Sequence, residues 1–117
     1  MRTILNTFMT ITTPRIFGQL LPLNTAAPSI LYTAPAGRQA QVTLFVCNQS
    51  NSVEYFRIAL VQFGQTLITA RYIAWDTPIT NNGMFSAAGI GLNSGDSIWV
   101  KSASGQLSFT ATGIEFS

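Results

Sequence analysis

Residues 53–63 read Val-Glu-Tyr-Phe-Arg-Ile-Ala-Leu-Val-Gln-Phe and form the longest run of alternating side chains in the sequence. In an extended chain Phe56, Ile58 and Leu60 share one face, while the side chains between them point the other way. Alternation with a period of two is the signature of a β-strand, and Gly64-Gln65 after the run is a turn signal. The stretch therefore predicts a strand that ends at a tight turn.

Seven further runs flank this one, separated by segments rich in Gly, Asn, Ser and Pro. They cover residues 16–20, 29–33, 39–48, 66–75, 84–92, 97–102 and 106–116. About eight short strands at this spacing predict an all-β, antiparallel β-sandwich, and the jelly roll, which has eight strands, is the first choice. No window carries the 3.6-residue spacing of an amphipathic helix. Residues 16–117 are therefore predicted to form a single β-sandwich domain.

Local signals sharpen this prediction at three points. Pro35 with Gly37 predicts a turn, and Asn82-Gly83 predicts a hairpin or loop, because these residues supply the backbone angles that turns require. In the last strand the apolar set shifts from Leu107, Phe109 and Ala111 to Ile114 and Phe116. A β-bulge at or near Gly113 would produce such a shift.

The composition is unusual in its charge. Of 117 residues 9% are charged, against about 25% in typical soluble domains, and Ser, Thr, Asn and Gln together number 38. Because charged residues are depleted in buried interface cores, this favours an oligomer or a lattice component. Six basic residues are scattered along the chain, so we expect no nucleic-acid partner. No run of 18 apolar residues occurs, so we expect no membrane partner.

Histidine is absent and Cys47 is the only cysteine. Every catalytic triad and every zinc site that needs histidine is thereby excluded, and Cys47 is predicted to be a small buried hydrophobe. The four acids, Glu54, Asp76, Asp96 and Glu115, are predicted at strand ends or turns, where they give weak support for a glycosidase pair or a calcium site. We expect no catalytic residue, no cofactor and no metal ligand, and hence no enzyme.

Two groups of side chains are candidates for an interface. Tyr72, Trp75, Phe85 and Trp99 would either pack in the core or form an aromatic contact surface for a partner protein or a sugar. Residues 1–15 are predicted to form an extended arm, since threonines favour extended backbone, and the arm would fasten the domain to another subunit or to a shell. Its apolar side chains are Ile4, Leu5, Phe8, Met9 and Ile11.

Residues 16–117 resemble a family of small bacteriophage virion proteins. The resemblance is carried by Leu-Tyr-Thr-Ala-Pro-Ala-Gly at 31–37, Phe-Val-Cys-Asn-Gln-Ser at 45–50 and Ile-Gly-Leu-Asn-Ser-Gly-Asp at 90–96. Ile-Phe-Gly-Gln at 16–19, Tyr-Phe-Arg-Ile-Ala at 55–59 and the strand at 107–115 extend it over most of the chain.

The resemblance implies a structural protein of the virion and supplies no catalytic residues. Some members are similar to capsid cement or decoration proteins that form trimers, and others are attached to tails or fibres. The first expectation is therefore a homotrimer that binds the major capsid protein on the outer capsid surface and is made in the host cytoplasm. The alternative is a tail or fibre module that contacts the host surface.

Elemental analysis of the purified protein tests the expected absence of a metal. Without histidine and with one thiol there is no soft ligand set, so zinc and iron should be well below one equivalent per chain. Stoichiometric zinc or iron would contradict this expectation.

Overall fold

The computed structural model describes residues 12–117, which form eight β-strands and one short 3₁₀ turn. The strands are β1 (Thr12–Leu20), β2 (Ser29–Thr33), β3 (Gln39–Asn48), β4 (Glu54–Val61), β5 (Tyr72–Ile79), β6 (Met84–Leu92), β7 (Ser97–Ser102) and β8 (Leu107–Phe116). The 3₁₀ turn, Thr69–Arg71, is the only helical element in this part of the chain.

Two four-stranded antiparallel sheets make up the sandwich, with strand orders β1-β8-β3-β6 and β2-β7-β4-β5. The first strand pairs with the last, the second with the seventh, the third with the sixth and the fourth with the fifth. This nested pairing is the topology of a jelly roll. The predicted fold class is confirmed.

The core lies between the inner faces of the two sheets. β3 contributes Val42, Leu44 and Val46, and β8 contributes Leu107 and Phe109, all at most 2% exposed. The ring centroid of Phe56 on β4 lies 6.3 Å from that of Phe109, in an edge-to-face arrangement across the sandwich. The alternation read from the sequence is thus the alternation between core and surface.

β8 carries no bulge at Gly113, contrary to the prediction. Its register with β3 is unbroken over ten residue pairs, from Gln39 opposite Phe116 to Asn48 opposite Leu107. The irregularity lies on the neighbouring strand β1, between Ile16 and Gly18. Gly113 itself approaches β3 so closely that a Cβ atom would collide with the carbonyl oxygen of Gln41. Glycine at this position therefore allows the backbones of β8 and β3 to approach each other closely.

Inward alternation in β8 therefore continues to Glu115, which is 1% exposed, while Ile114 is 40% exposed. A buried carboxylate requires partners, and Glu115 has three. Tyr32 of β2 donates its hydroxyl to Oε2 at 2.7 Å, Arg15 of β1 lies 3.3 Å from Oε1, and Arg38 lies 4.0 Å from the same atom. Burial and the bond to Glu115 raise the pKa of Tyr32 well above its usual range. The sequence prediction failed because it assumed that the inward residues are apolar.

The turn predictions are confirmed. Gly37 has a φ of +76°, and the Arg38 amide donates to the carbonyl of Pro35. Asn82, with a φ of +57°, and Gly83 form the connection from β5 to β6, which passes from one sheet to the other.

A buried amide holds the connection between β5 and β6 in place. The Asn48 Nδ2 group donates to the carbonyl oxygens of Ser52, Ile79 and Thr80. Asn48 therefore ties the end of β3 to the two loops that surround it.

Two strand boundaries differ from the prediction. β5 begins at Tyr72 and runs through Pro78, because an edge strand tolerates proline. The preceding segment is a loop in which the Arg71 guanidinium donates to the carbonyl of Thr66 and to Oε1 of Gln65. β1 begins at Thr12, opposite Phe116, so residues 12–15 lie in the sheet although they were assigned to the arm. The rest of the arm, residues 1–11, lies outside the described residues.

Cys47 is exposed, and the prediction that it is buried is wrong. Val46, its neighbour, is 0% exposed, so the strand directs Cys47 to the opposite face.

Glu115→Gln should destabilise the fold by about 1–3 kcal/mol, because the substitution removes a charged acceptor from a buried site. Half-exposed Arg15 and Arg38 contribute little of this, since water screens them. Urea denaturation followed by far-ultraviolet circular dichroism measures the change. Glu54→Gln, at a more exposed carboxylate, is the control and should change the midpoint little. Equal midpoints for the two variants would contradict the role given to Glu115.

Candidate interaction surface

The outer face of the sheet β2-β7-β4-β5 carries three of the four aromatic residues predicted to form an interface. Trp99 on β7 lies opposite Ile30 of β2 on one side and Ala59 of β4 on the other, and Ala59 lies opposite Tyr72 of β5. Residues paired in antiparallel strands point to the same side. These four residues form a row across the sheet, and Ile98 and Val100, beside Trp99, face the core.

Ala59 shows how this row packs. It is 0% exposed although it lies on the outer face, because its neighbours on both sides, Trp99 and Tyr72, are large. Trp99 is fixed by a hydrogen bond from its indole Nε1 to the Ser97 hydroxyl at 3.0 Å. Ile30, at one end of the row, remains 48% exposed. The row is thus a packed apolar surface in which the indole N–H of Trp99 has a hydrogen-bond acceptor.

Trp75 extends the surface next to the row. Its ring lies 4.9 Å from that of Tyr72 in an edge-to-face arrangement, and the Arg57 guanidinium carbon lies 3.5 Å from the Trp75 ring centroid. This is a cation–π contact. Trp75 is nevertheless 49% exposed, so part of the indole is open to a partner.

Asp76 fixes the arginine on the tryptophan. Its two carboxylate oxygens accept from Nε of Arg57 at 2.7 Å and from the terminal nitrogen at 3.0 Å, a bidentate pair. Asp76 has a φ of +47° and lies within β5, at a shift in register against β4. The prediction that it lies at a strand end or turn is wrong. The hydrogen bond from Arg57 lowers the pKa of Asp76, and the same bond raises the pKa of Arg57.

We call the set Ile30, Arg57, Ala59, Tyr72, Trp75, Asp76 and Trp99 the aromatic face. Arg57 and Asp76 neutralise each other there, and Lys101, opposite Arg57 on β7, adds one positive charge. Sequence reasoning missed Arg57, Asp76 and Ile30, because the pairing of β4 with β5 that brings the ion pair to Trp75 is a contact between strands. The alternation in residues 53–63 did place Arg57 on the same side as Tyr55 and Ala59.

Phe85 does not belong to this surface. It lies on β6 of the other sheet, opposite Val46, and its ring centroid is 5.0 Å from that of Phe56. It packs against the core, which was the alternative reading for all four aromatic residues. Ile4, Leu5, Phe8, Met9 and Ile11 lie outside the described residues, so their interface role stays a prediction.

The other polar clusters of residues 12–117 are structural. Asp96 accepts from the amides of Phe63 and Asn93, which confirms that it is a turn residue. Among the residues that the structure describes, no group of three or more His, Cys, Asp or Glu could hold a metal ion. None of the described segments is a helix long and apolar enough to cross a membrane. An open depression of about 470 Å³ beside Phe63 and Gly95 has no ionisable side chain in its lining.

Comparisons with known proteins add little to the fold described above. No protein-family model matches the chain, and no curated protein sequence matches it significantly. One solved structure with a similar chain is that of infectious bursal disease virus Gx strain, at 18% sequence identity and a TM-score of 0.40. The match covers 92% of this chain and 31% of the other, so this chain spans about a third of its length.

The Arg57–Asp76 pair predicts an acid transition in the fluorescence of Trp75. The folded-state pKa of Asp76 is lowered, so the pair is intact above the ordinary aspartate pKa and is lost as the pH falls through the lowered value. In a Trp99→Phe background, Trp75 emission should titrate with a midpoint below that of a free aspartate. Asp76→Asn in the same background should abolish the transition, and a midpoint at 4 or above would contradict the geometry.

Proposed function

We propose that the chain is a structural protein of a virus particle, and that it decorates the outer surface of the capsid shell through the aromatic face. The observation that carries the proposal is the position of this face. Tyr72, Trp75 and Trp99 lie on strands at the outer face of a sheet, not grouped on loops at one end of the sandwich. A weakly charged sheet face suits contact with a lattice, whereas a receptor-binding tip is built from loops.

The sequence resemblance to small bacteriophage virion proteins supports the same function. The jelly roll is also a recurring architecture of viral capsid domains, although it hosts lectins and other functions as well, so the fold alone does not select among them. The low proportion of charged residues supports burial of part of the protein surface in an assembly. The decoration role, the bacteriophage origin, the major capsid protein as partner and synthesis in the host cytoplasm are parts of this proposal.

Pairing of the basic residues supports a protein partner over a nucleic acid. Arg15 and Arg38 face Glu115, and Arg57 is held by Asp76. Arg71 donates to Gln65 and to the carbonyl of Thr66. Most of the positive charge of residues 12–117 is therefore engaged within the domain and does not form a patch for phosphates.

A receptor-binding module of a tail or fibre is the second candidate, since an exposed tryptophan beside an arginine and an aspartate can stack on a sugar ring and hydrogen-bond to it. Arg57 and Asp76 already bind each other in a bidentate pair, however, which leaves fewer of their donors and acceptors for a sugar. We therefore place the decoration role first.

The number of copies in purified particles separates the two functions. A decoration protein is expected in hundreds of copies per particle, because it follows the symmetry of the shell, and a tail module in a handful. Quantitative mass spectrometry against the major capsid protein gives the ratio. A handful of copies would overturn the decoration role, and absence from the particle would overturn both functions.

Trp75→Ala should weaken binding to particles that lack the protein by about thirtyfold, which corresponds to about 2 kcal/mol, the scale of an aromatic hot-spot contact. Phe63→Ala is the matched control, because Phe63 is 77% exposed but lies off the aromatic face. Sedimentation with the particles measures both affinities. Equal affinities would show that the aromatic face is not the contact.

A further inference from the structure

The sheet edges of a sandwich are sites where another chain can pair, and proteins guard them with charges, prolines, bulges or short strands. The four edge strands of this fold are β1, β6, β2 and β5. β1 carries Pro14 and Arg15, and β5 carries Asp76 and Pro78. β2 has five residues, and its Leu31 carbonyl is closely approached by Gly18 of β1. These three edges are therefore guarded or partly covered.

β6 lacks the first two of these protections. Its nine residues, Met-Phe-Ser-Ala-Ala-Gly-Ile-Gly-Leu, include no charge and no proline. A shift in register opposite Thr43, with Gly89 at a φ of +78°, interrupts the strand in its second half. Residues 84–87 before this shift form the straight part of the edge. Roughly every second residue there directs its backbone N–H and C=O groups away from β3.

Apolar side chains are incompletely covered at this edge. Met84 is 66% exposed on the outer face. Phe85 and Ile90 on the inner face are only partly buried, although both pack against the core. A further strand beside β6 would cover side chains on both faces and satisfy the free backbone groups.

Residues 3–11 have the composition of such a strand. They read Thr-Ile-Leu-Asn-Thr-Phe-Met-Thr-Ile, with no charge and no proline. In an extended chain Leu5, Met9 and Ile11 share one face, and Ile4 and Phe8 share the other. Each face of an added strand would therefore present apolar side chains next to those of β6. Neither partner would have to bury a charge, so pairing avoids the desolvation cost of a charged group.

The arm starts far from its own β6. Thr12 lies on β1, at the opposite edge of the sheet, with β8 and β3 between them. Three strand spacings are about 14 Å, and the chain would have to cross them and then turn to run along β6. The arm can pair with the β6 edge of a second copy without crossing these strands.

We infer that residues 3–11 of one copy add as a strand to the β6 edge of a second copy, along residues 84–87. The contact joins two different surfaces, so repetition around a rotation axis closes a ring in which each copy gives one arm and receives one. The homotrimer implied by the sequence resemblance is one such ring. The contact forms between copies of this chain alone, so it is independent of any capsid.

Two lysines on the edge test this inference in the full-length protein. Met84→Lys with Ser86→Lys places charges on exposed positions of β6, as natural edge strands do. Gln39→Lys with Gln41→Lys adds the same charge at exposed positions of β3, which is already paired on both sides. At micromolar concentration, sedimentation velocity should show an oligomer for the parent and the β3 variant, and a monomer for the β6 variant.

A second variant tests the arm itself. Thr7→Pro with Thr10→Pro removes one backbone donor from each of the two alternating sets of arm residues, so that one of the two donors would have faced β6. This variant should also give a monomer, with an unchanged circular dichroism spectrum. Amide exchange in residues 84–87 should be slow in the parent and at least tenfold faster in this variant. If the lysine variant of β6 does not fold, the oligomeric state of the proline variant tests the inference.

A monomeric parent protein, or an oligomer that survives the proline substitutions, would overturn the inference. Neither result would affect the proposed contact between the aromatic face and a capsid, which is measured separately by binding of Trp75→Ala to particles.

Discussion

The buried carboxylate of Glu115 is the constraint on which the arrangement of the sandwich depends. It lies on β8 and accepts a hydrogen bond from Tyr32, which belongs to the other sheet, while Arg15 reaches it from β1 and Arg38 from the turn before β3. A carboxylate that is 1% exposed cannot exchange these partners for water without opening the sandwich. One charge thereby fixes how the two sheets sit relative to each other at this end. The remaining inward positions are largely filled by apolar side chains, which specify burial but not a unique partner.

The same order of strands creates the aromatic face. Because β4 pairs with β7 on one side and β5 on the other, Trp99, Ala59 and Tyr72 fall into one row. The register shift of β5 at Asp76 then brings a carboxylate to Arg57 and holds the guanidinium on Trp75. An ordinary β-strand would direct Trp75 and Asp76 to opposite faces. The surface is thus organised in advance, with little side-chain freedom left to lose when a partner binds.

The two proposed contacts depend on different interactions and lie on different parts of the fold. The aromatic face offers rigid side chains on a sheet whose backbone is already paired. The edge at β6 offers backbone groups, and its side chains only complement them. In the proposed ring the contact lies at β6, in the other sheet, and does not cover the aromatic face. The two proposals are therefore compatible with each other.

The sequence by itself determined the fold class, because the alternation of side chains with a period of two and the identity of the turn residues are properties of neighbouring residues. These properties do not depend on how distant segments pack. The run at residues 53–63, the turn at Pro35 and Gly37, and the absence of histidine could all be interpreted without a structure. Only the tertiary structure decided which aromatic residues share a face, since that depends on strand order and register between distant segments. It also decided that Glu115 points inward and that Cys47 points outward. A sequence pattern marks apolar positions as buried, but it cannot reveal a buried charge, because the partners that make its burial possible are distant in the chain.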